Sequence, residues 1–259
     1  MSSVDQTPRT LSLTRAYNIL THVQSASAIV FSAYVVIHST QILSANFGGV
    51  GLANRSLLLT RPFYQDKGME TVLVLGSAIV HVATGLAKFG LRVYWKQINT
   101  ATHSSLLPYH RLIGHLQLPF IGLHYYLTRI LPIQKYGDSS FIDFSYIGWG
   151  LQNRPIFTYG LHTTLVLGSV YHTVSGLSFI YSRYFKKSKL SEPKVPQHGK
   201  SVEQQQLNFK TKHNQQLKKA LVAALSLSLI SGLVIIGRDT KTIPLRLDFE
   251  SMYSKILCN

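Results

Sequence analysis

Acidic residues are scarce in this chain: Asp and Glu total 10 among 259 residues, against 26 Lys and Arg. Charged residues of both signs reach only 14%, well short of the roughly 25% usual in soluble domains. No carboxylate pair falls inside the long apolar runs, and no nucleophile–base set or nucleotide loop is found, so the chain is read as non-enzymatic. Cysteine is nearly absent. The single Cys258 excludes a disulfide framework and a thiolate metal site within one chain. Standing second from the end, it cannot form a four-residue prenylation box either. A net charge of +16 raises nucleic acid as a partner, but such binding needs the bases on one face. Here they lie mostly between apolar runs, the pattern of a membrane protein with basic loops. No nucleic-acid partner is therefore expected.

What the chain does have is long hydrophobic stretches. Crossing a hydrocarbon core of about 30 Å takes about 20 helical residues, and five segments qualify: 17–45, 70–95, 109–132, 158–185 and 219–237. Backbone polar groups in lipid must be satisfied within their own segment, so all five are read as helices. Lys88 and Arg92 stand near one end of the second, where their charged tips are expected to snorkel. Pro132 closes the third. Residues 46–69 and 133–157 read as medium loops rich in Gly, Asn and aromatic residues. The Lys- and Gln-rich stretch 186–218 reads as a disordered basic loop. Residues 1–16 form an N-terminal tail with no secretory cleavage pattern, and 238–259 form a C-terminal tail.

One apolar phrase occurs twice, as LGSAIVHVATGL at 75–86 and LGSVYHTVSGL at 167–177. Superimposing His81 on His172 also superimposes Gly85-Leu86 on Gly176-Leu177 and Arg92 on Arg183. Arg61-Pro62 and Arg154-Pro155 precede the two copies, and His38 and His124 mark the helices before them. The repeating unit is then a helical hairpin bearing one histidine on each helix. The first covers 17–95 and the second 109–185. Two helices per unit restore the chain direction, so the copies are parallel repeats about an axis along the membrane normal. The expected fold is all-α: a multi-pass membrane bundle of five transmembrane helices, two tandem hairpin repeats plus one further helix.

Ionisable residues inside a bilayer are costly and usually functional or paired. By helical rise, His38 and His81 lie roughly 10 and 16 Å from the same side of the membrane, and His124 and His172 about 12 and 21 Å. Neighbouring helix axes run about 8–10 Å apart. His38 with His81, and His124 with His172, are therefore candidate axial pairs for haem b. The competing reading is structural: neutral histidines bridging helices, each bond worth about 0.6 kcal/mol. His110, His115 and His162 read as ordinary interface residues. A transporter built from parallel repeats ranks last, for want of acids in the spans.

Orientation follows the bases. The side holding the N-terminus and the 186–218 loop carries Arg9, Arg15, Lys88, Arg92, Lys96, Arg183 and the nine lysines from 186 to 219. Asp5, Glu192 and Glu203 are the acids there. The other side balances ten bases with seven acids. The basic side is expected in the cytosol, with the basic loop also attracting anionic lipids.

The duplicated hairpins, the stretch HRLIGHLQLPFIGLHYYLTRILP at 110–132 and the paired HVATGL and HTVSGL blocks resemble a family. It is that of the fungal mitochondrial adapter proteins, found as multicopy suppressors of defects in the ER–mitochondria tether. The resemblance spans roughly residues 17–237. It implies a multi-pass protein of the mitochondrial outer membrane, with a cytosolic N-terminus, concerned with lipid homeostasis. It also implies that the tail recruits a bridge-like lipid-transfer protein to mitochondria–vacuole or ER contact sites. The family recruits through a Pro-x-Pro element before the first helix; here the tail has Pro8 alone, and no Pro-x-Pro occurs in the chain. The core is further similar to the haem-carrying cytochrome b anchors of succinate dehydrogenase and fumarate reductase, an analogy of fold.

Overall fold

Apolar runs without acids favour the one secondary structure that satisfies its own backbone, and helix is what they form. A computed structural model describes residues 8–98, 108–185, 200–243 and 245–257. Among these there is no strand. The helices are α1 (Pro8–Thr60), α2 (Lys67–Met69), α3 (Ser77–Ile98), α4 (Pro108–Tyr125), α5 (Leu131–Tyr136), α6 (Phe144–Asn153), α7 (Pro155–Tyr184), α8 (Lys200–Asp239) and α9 (Asp248–Leu257). Three stretches are long and apolar enough to cross a membrane: Ser12–Phe63, Glu70–Tyr94 and Gln215–Thr242. The chain is a membrane protein with transmembrane helices. The expected spans 109–132 and 158–185 are helical too, within α4–α5 and α7, but polar side chains dilute their apolar character.

Two wider turns interrupt the helices. Glu70–Gly76 joins α2 to α3, and Tyr126–Ile130 joins α4 to α5, both with bonds reaching five residues back. Ser77 N–H, for instance, donates to Val72 O. Such a turn takes up one extra residue without ending the helix. The two repeated phrases differ by one residue between their LGS and their histidine, and the wider turn sits beside the longer copy.

The chain divides into two compact units, Met1–Thr40 with Arg55–Leu106, and Gln41–Asn54 with Leu107–Asn259. In the second, residues read as loop turn out to be ordered. Helix α1 breaks at Gly48 and Gly49, the latter with φ 63°, a backbone region that glycine enters without a Cβ clash. The break leaves Val50 N–H without a helical acceptor, and Asp239 Oδ2 accepts it at 3.2 Å. The chain then resumes as helix to Thr60. Its Asn54 accepts from Phe144 N–H at 2.9 Å, at the start of α6. Asp143 caps that helix, accepting from Ser145 N–H at 2.8 Å. The expected loop 133–157 thus contains α6, bounded by the left-handed Gly137 and by Pro155 in the first turn of α7.

Around α6 lies the most completely buried cluster of the chain: Tyr146, Phe249, Met252, Tyr253, Ile236 and Thr240. The ring of Tyr146 stands 5.2 and 5.0 Å, between centroids, from those of Phe249 and Tyr253. Glycines make this possible. A Cβ at Gly148 would strike Thr240, and one at Gly150 would strike Tyr253. The C-terminal stretch, read as a tail, supplies α9 to this cluster.

Helix α8 also corrects an expectation. The fifth helix does not begin at 219 but at Lys200, so residues 200–218, read as disordered from composition, continue it. Residues 186–199 lie outside the described residues, as do 1–7 of the expected tail. Against α1, Gly232 leaves no room for a side chain beside Ile42 O, and Asn46 Nδ2 donates to Ser228 O at 3.0 Å. Close approach over small residues is the packing mode that membranes favour.

Candidate functional site: two histidine-bearing helix pairs

Residues seven apart lie on one face of a helix, and α1 carries Tyr17, Gln24, Phe31 and His38 at that spacing. Helix α3 answers with His81, Lys88 and Arg92. The ring Nδ1–H of His81 donates to Gln24 O at 3.3 Å. Lys88 Nζ donates to Gln24 Oε1 at 2.9 Å and stands 5.0 Å from the Tyr17 ring. Arg92 reaches the Tyr17 hydroxyl at 3.5 Å. Gly85 keeps the space clear, since a Cβ there would come within 3.0 Å of Gln24 Nε2. Further along α1, His38 stacks on Tyr34, 5.7 Å between centroids, and Tyr34 packs on Tyr64.

Helix α4 presents a second stripe at the same spacing: His110, Gln117 and His124. Its partner is α7. The ring of His172 stacks on His110 with centroids 4.0 Å apart, and its Nδ1–H donates to His110 O at 3.0 Å. Gln117 Nε2 donates to Thr164 O at 2.8 Å. Gly168 leaves no space for any side chain beside that amide. His124 meets His162 edge to face at 5.3 Å, and His162 Nδ1–H donates to Thr158 O at 2.8 Å.

The two pairs share one bond. His81 and His172, which head the repeated phrases, each donate from Nδ1 to a main-chain carbonyl on the facing helix. The accepting residues, Gln24 and His110, each precede the first-helix histidine (His38 or His124) by fourteen positions. Each glycine four residues after the repeat histidine, Gly85 or Gly176, faces the side chain of that same accepting residue. A carbonyl oxygen only accepts, so in both rings Nδ1 carries a proton and is the donor of this bond.

This arrangement corrects the pairing expected for haem. His172 lies level with His110, and His124 stands about 21 Å further along α4. His81 lies level with Gln24, and His38 stands about 21 Å further along α1. Two imidazoles clamping one iron must share a level. His38 with His81 and His124 with His172 do not, and the stacked His110 and His172 rings leave no gap for a macrocycle. The donor set therefore does not fit haem b. Among the described residues, no group of three or more His, Cys, Asp or Glu is placed to hold a metal ion.

Of the four predicted histidines, then, two anchor helix pairs and two join other aromatic residues. Gln24 and Gln117 do not stand out in the sequence, and His110 and His162, expected to be ordinary interface residues, instead pack against His172 and His124. The seven-residue stripe on α1 and α4 was the signal for Gln24, His110 and Gln117; no comparable signal marks His162. Lys88 also differs from expectation. It does not snorkel but turns inward, 7% exposed.

Comparison with known proteins adds one finding. Residues 119–241, from within α4 to just past the end of α8, match the family model described as MDM10-complementing protein 1, transmembrane domain. No curated protein and no solved structure matches the chain.

Proposed function

We propose that the chain is a non-enzymatic protein of the mitochondrial outer membrane, of the MDM10-complementing type, acting in lipid homeostasis. The match of residues 119–241 to that transmembrane domain carries the reading. Three apolar helices and the resemblance of residues 110–132 to the mitochondrial adapter family support it. In this reading α4–α5 and α7 cross the membrane as well. That makes five spans, with the N-terminus and the 186–218 segment in the cytosol and α9 on the far side. Polar contacts between α4 and α7 allow them to be less apolar than the other three, because His110, Gln117, His124 and His172 are turned toward a partner and so kept from lipid. The two hairpins descend from one duplicated unit, and the matched histidine-to-carbonyl bonds support that descent.

At contact sites the protein acts as an adapter or partner for a bridge-like lipid-transfer protein. Without a Pro-x-Pro element in its tail, the partner engages another cytosolic segment. The test is complementation. Raised expression in cells lacking a functional ER–mitochondria tether should restore growth and mitochondrial shape, and a tagged lipid-transfer protein should gather at mitochondria only when the chain is present. Failure of the rescue defeats the family reading. Rescue with an unchanged distribution of the transfer protein defeats the adapter role alone.

A further inference from the structure

Levels along the first helix pair can be read from its own contacts. Tyr17 lies beside Lys88 and Arg92 at one end, and Gln24 lies beside His81 and Lys88. Tyr34 follows Tyr17 by seventeen residues, about 26 Å along α1. Glu70 precedes Lys88 by eighteen residues, about 27 Å along α3 and the wider turn before it. Both distances approach one hydrocarbon thickness of about 30 Å. Tyr34 and Glu70 therefore stand at the membrane boundary opposite Lys88 and Arg92.

The end of α1 comes back to this boundary. Tyr64 is buried, and its ring packs 5.2 Å from that of Tyr34, which in turn stacks on His38. That contact holds the turn 61–64 at the boundary, and residues 55–63 lead into it. Their inner side is the buried Leu57. Their outer side is apolar as well: Leu58, Leu59 and Phe63 are 58%, 76% and 62% exposed. With the exposed Arg55, these residues succeed one another at three- and four-residue spacing along one face. Single exposed apolar side chains need no explanation, but a contiguous patch of them marks an interaction surface. This one closes the apolar stretch Ser12–Phe63, which is long enough to cross a membrane, and Arg55 and Arg61 flank it. Leu and Phe on one side with Arg at the edge is the pattern of helices that lie in the lipid interface.

We propose that residues 55–63 form an interfacial foot whose partner is the lipid bilayer itself. Leu58, Leu59 and Phe63 lie among the acyl chains just beneath the headgroups, in the leaflet opposite Lys88 and Arg92. Arg55 keeps its stem along that apolar surface and its guanidinium at the lipid phosphates. Tyr64, seated on Tyr34, sets the depth of the foot. The α1–α3 pair is thereby held by a segment lying along one leaflet as well as by helices passing through both. The inference requires only that α1 and α3 cross a membrane, whichever membrane that is.

The full-length chain carrying Cys258→Ser would receive a nitroxide at Leu59→Cys and be reconstituted in vesicles of phosphatidylcholine and phosphatidylethanolamine. Relaxation by oxygen, which concentrates in hydrocarbon, is compared with relaxation by a water-soluble nickel chelate present on both sides. Leu59→Cys should favour oxygen severalfold, as should the half-exposed Ile29→Cys within the span, while the exposed Asp66→Cys should favour nickel. A Leu59→Cys label that behaves like Asp66→Cys overturns the proposal and leaves the crossing of α1 in place. A label shielded from both reagents overturns it too, since a second copy or another protein segment then covers the face. An Ile29→Cys label open to nickel removes the crossing of α1 and the foot with it. Should Leu59→Cys fail to fold, Phe63→Cys puts the same label on the same face, with the same expected and overturning results.

Discussion

At Gly168 a single hydrogen atom decides whether α4 and α7 can meet, because the Gln117 amide occupies the space a Cβ would need. Gly168→Leu should cost about 2 kcal/mol or more by overpacking, read as a lowered unfolding temperature in detergent. Gln117→Leu should be mild. It gives up one helix–helix bond, about 0.6 kcal/mol on average in membranes, and removes an amide oxygen that is buried without a partner. Tyr146 offers a similar contrast: its hydroxyl is buried and makes no bond, so Tyr146→Phe should be neutral or slightly stabilising. The haem question belongs to this scale as well. Protein produced with ample haem should show no Soret absorption; a band abolished by His81→Ala or His172→Ala would overturn the level argument. These residue-level facts were only partly legible. The repeated phrases marked His81 and His172 as special. That their partner is a backbone carbonyl was invisible, because any residue type supplies one.

Among elements, the helix that restarts after Gly49 depends on a carboxylate from α8. Asp239→Ala should cost about 0.5–2 kcal/mol, the usual range for a lost helix cap, while Asp239→Asn keeps an acceptor oxygen and should cost less. Chemical denaturation of both variants checks the order. The α6–α9 cluster should respond to alkali. Burial pushes the phenols of Tyr146 and Tyr253 far above the ordinary tyrosine value, so both stay neutral when folded. Their contribution is complete below the unfolded value of about 10 and is lost as pH climbs above it. Unfolding temperature should hold steady to pH 10 and then fall, with Tyr146→Phe and Tyr253→Phe together flattening the drop. Helix as a class, and all five long helical segments, could be read from hydropathy. The short helices could not. Residues 46–60 and 144–153 carry the glycines and asparagines of loops, and only tertiary partners such as Asp239 and Asn54 make those residues serve as breaks and caps.

For the whole molecule, the five-span reading puts the two chain ends on opposite sides of a membrane, and the lone Cys258 is a built-in reporter of one of them. An impermeant maleimide applied to intact mitochondria should leave the native chain unlabelled until the outer membrane is ruptured. A Cys258→Ser variant carrying Ser3→Cys should label at once. Early labelling of Cys258 would reverse the topology or change the number of crossings. The bond from histidine to main chain that both helix pairs make has a consequence at this scale too. An anchor that uses the peptide group rather than a side chain puts no constraint on what the accepting residue carries. In the duplication reading, each half was at liberty to specialise at that place, one with an amide that accepts from a lysine, the other with an imidazole that stacks on its partner.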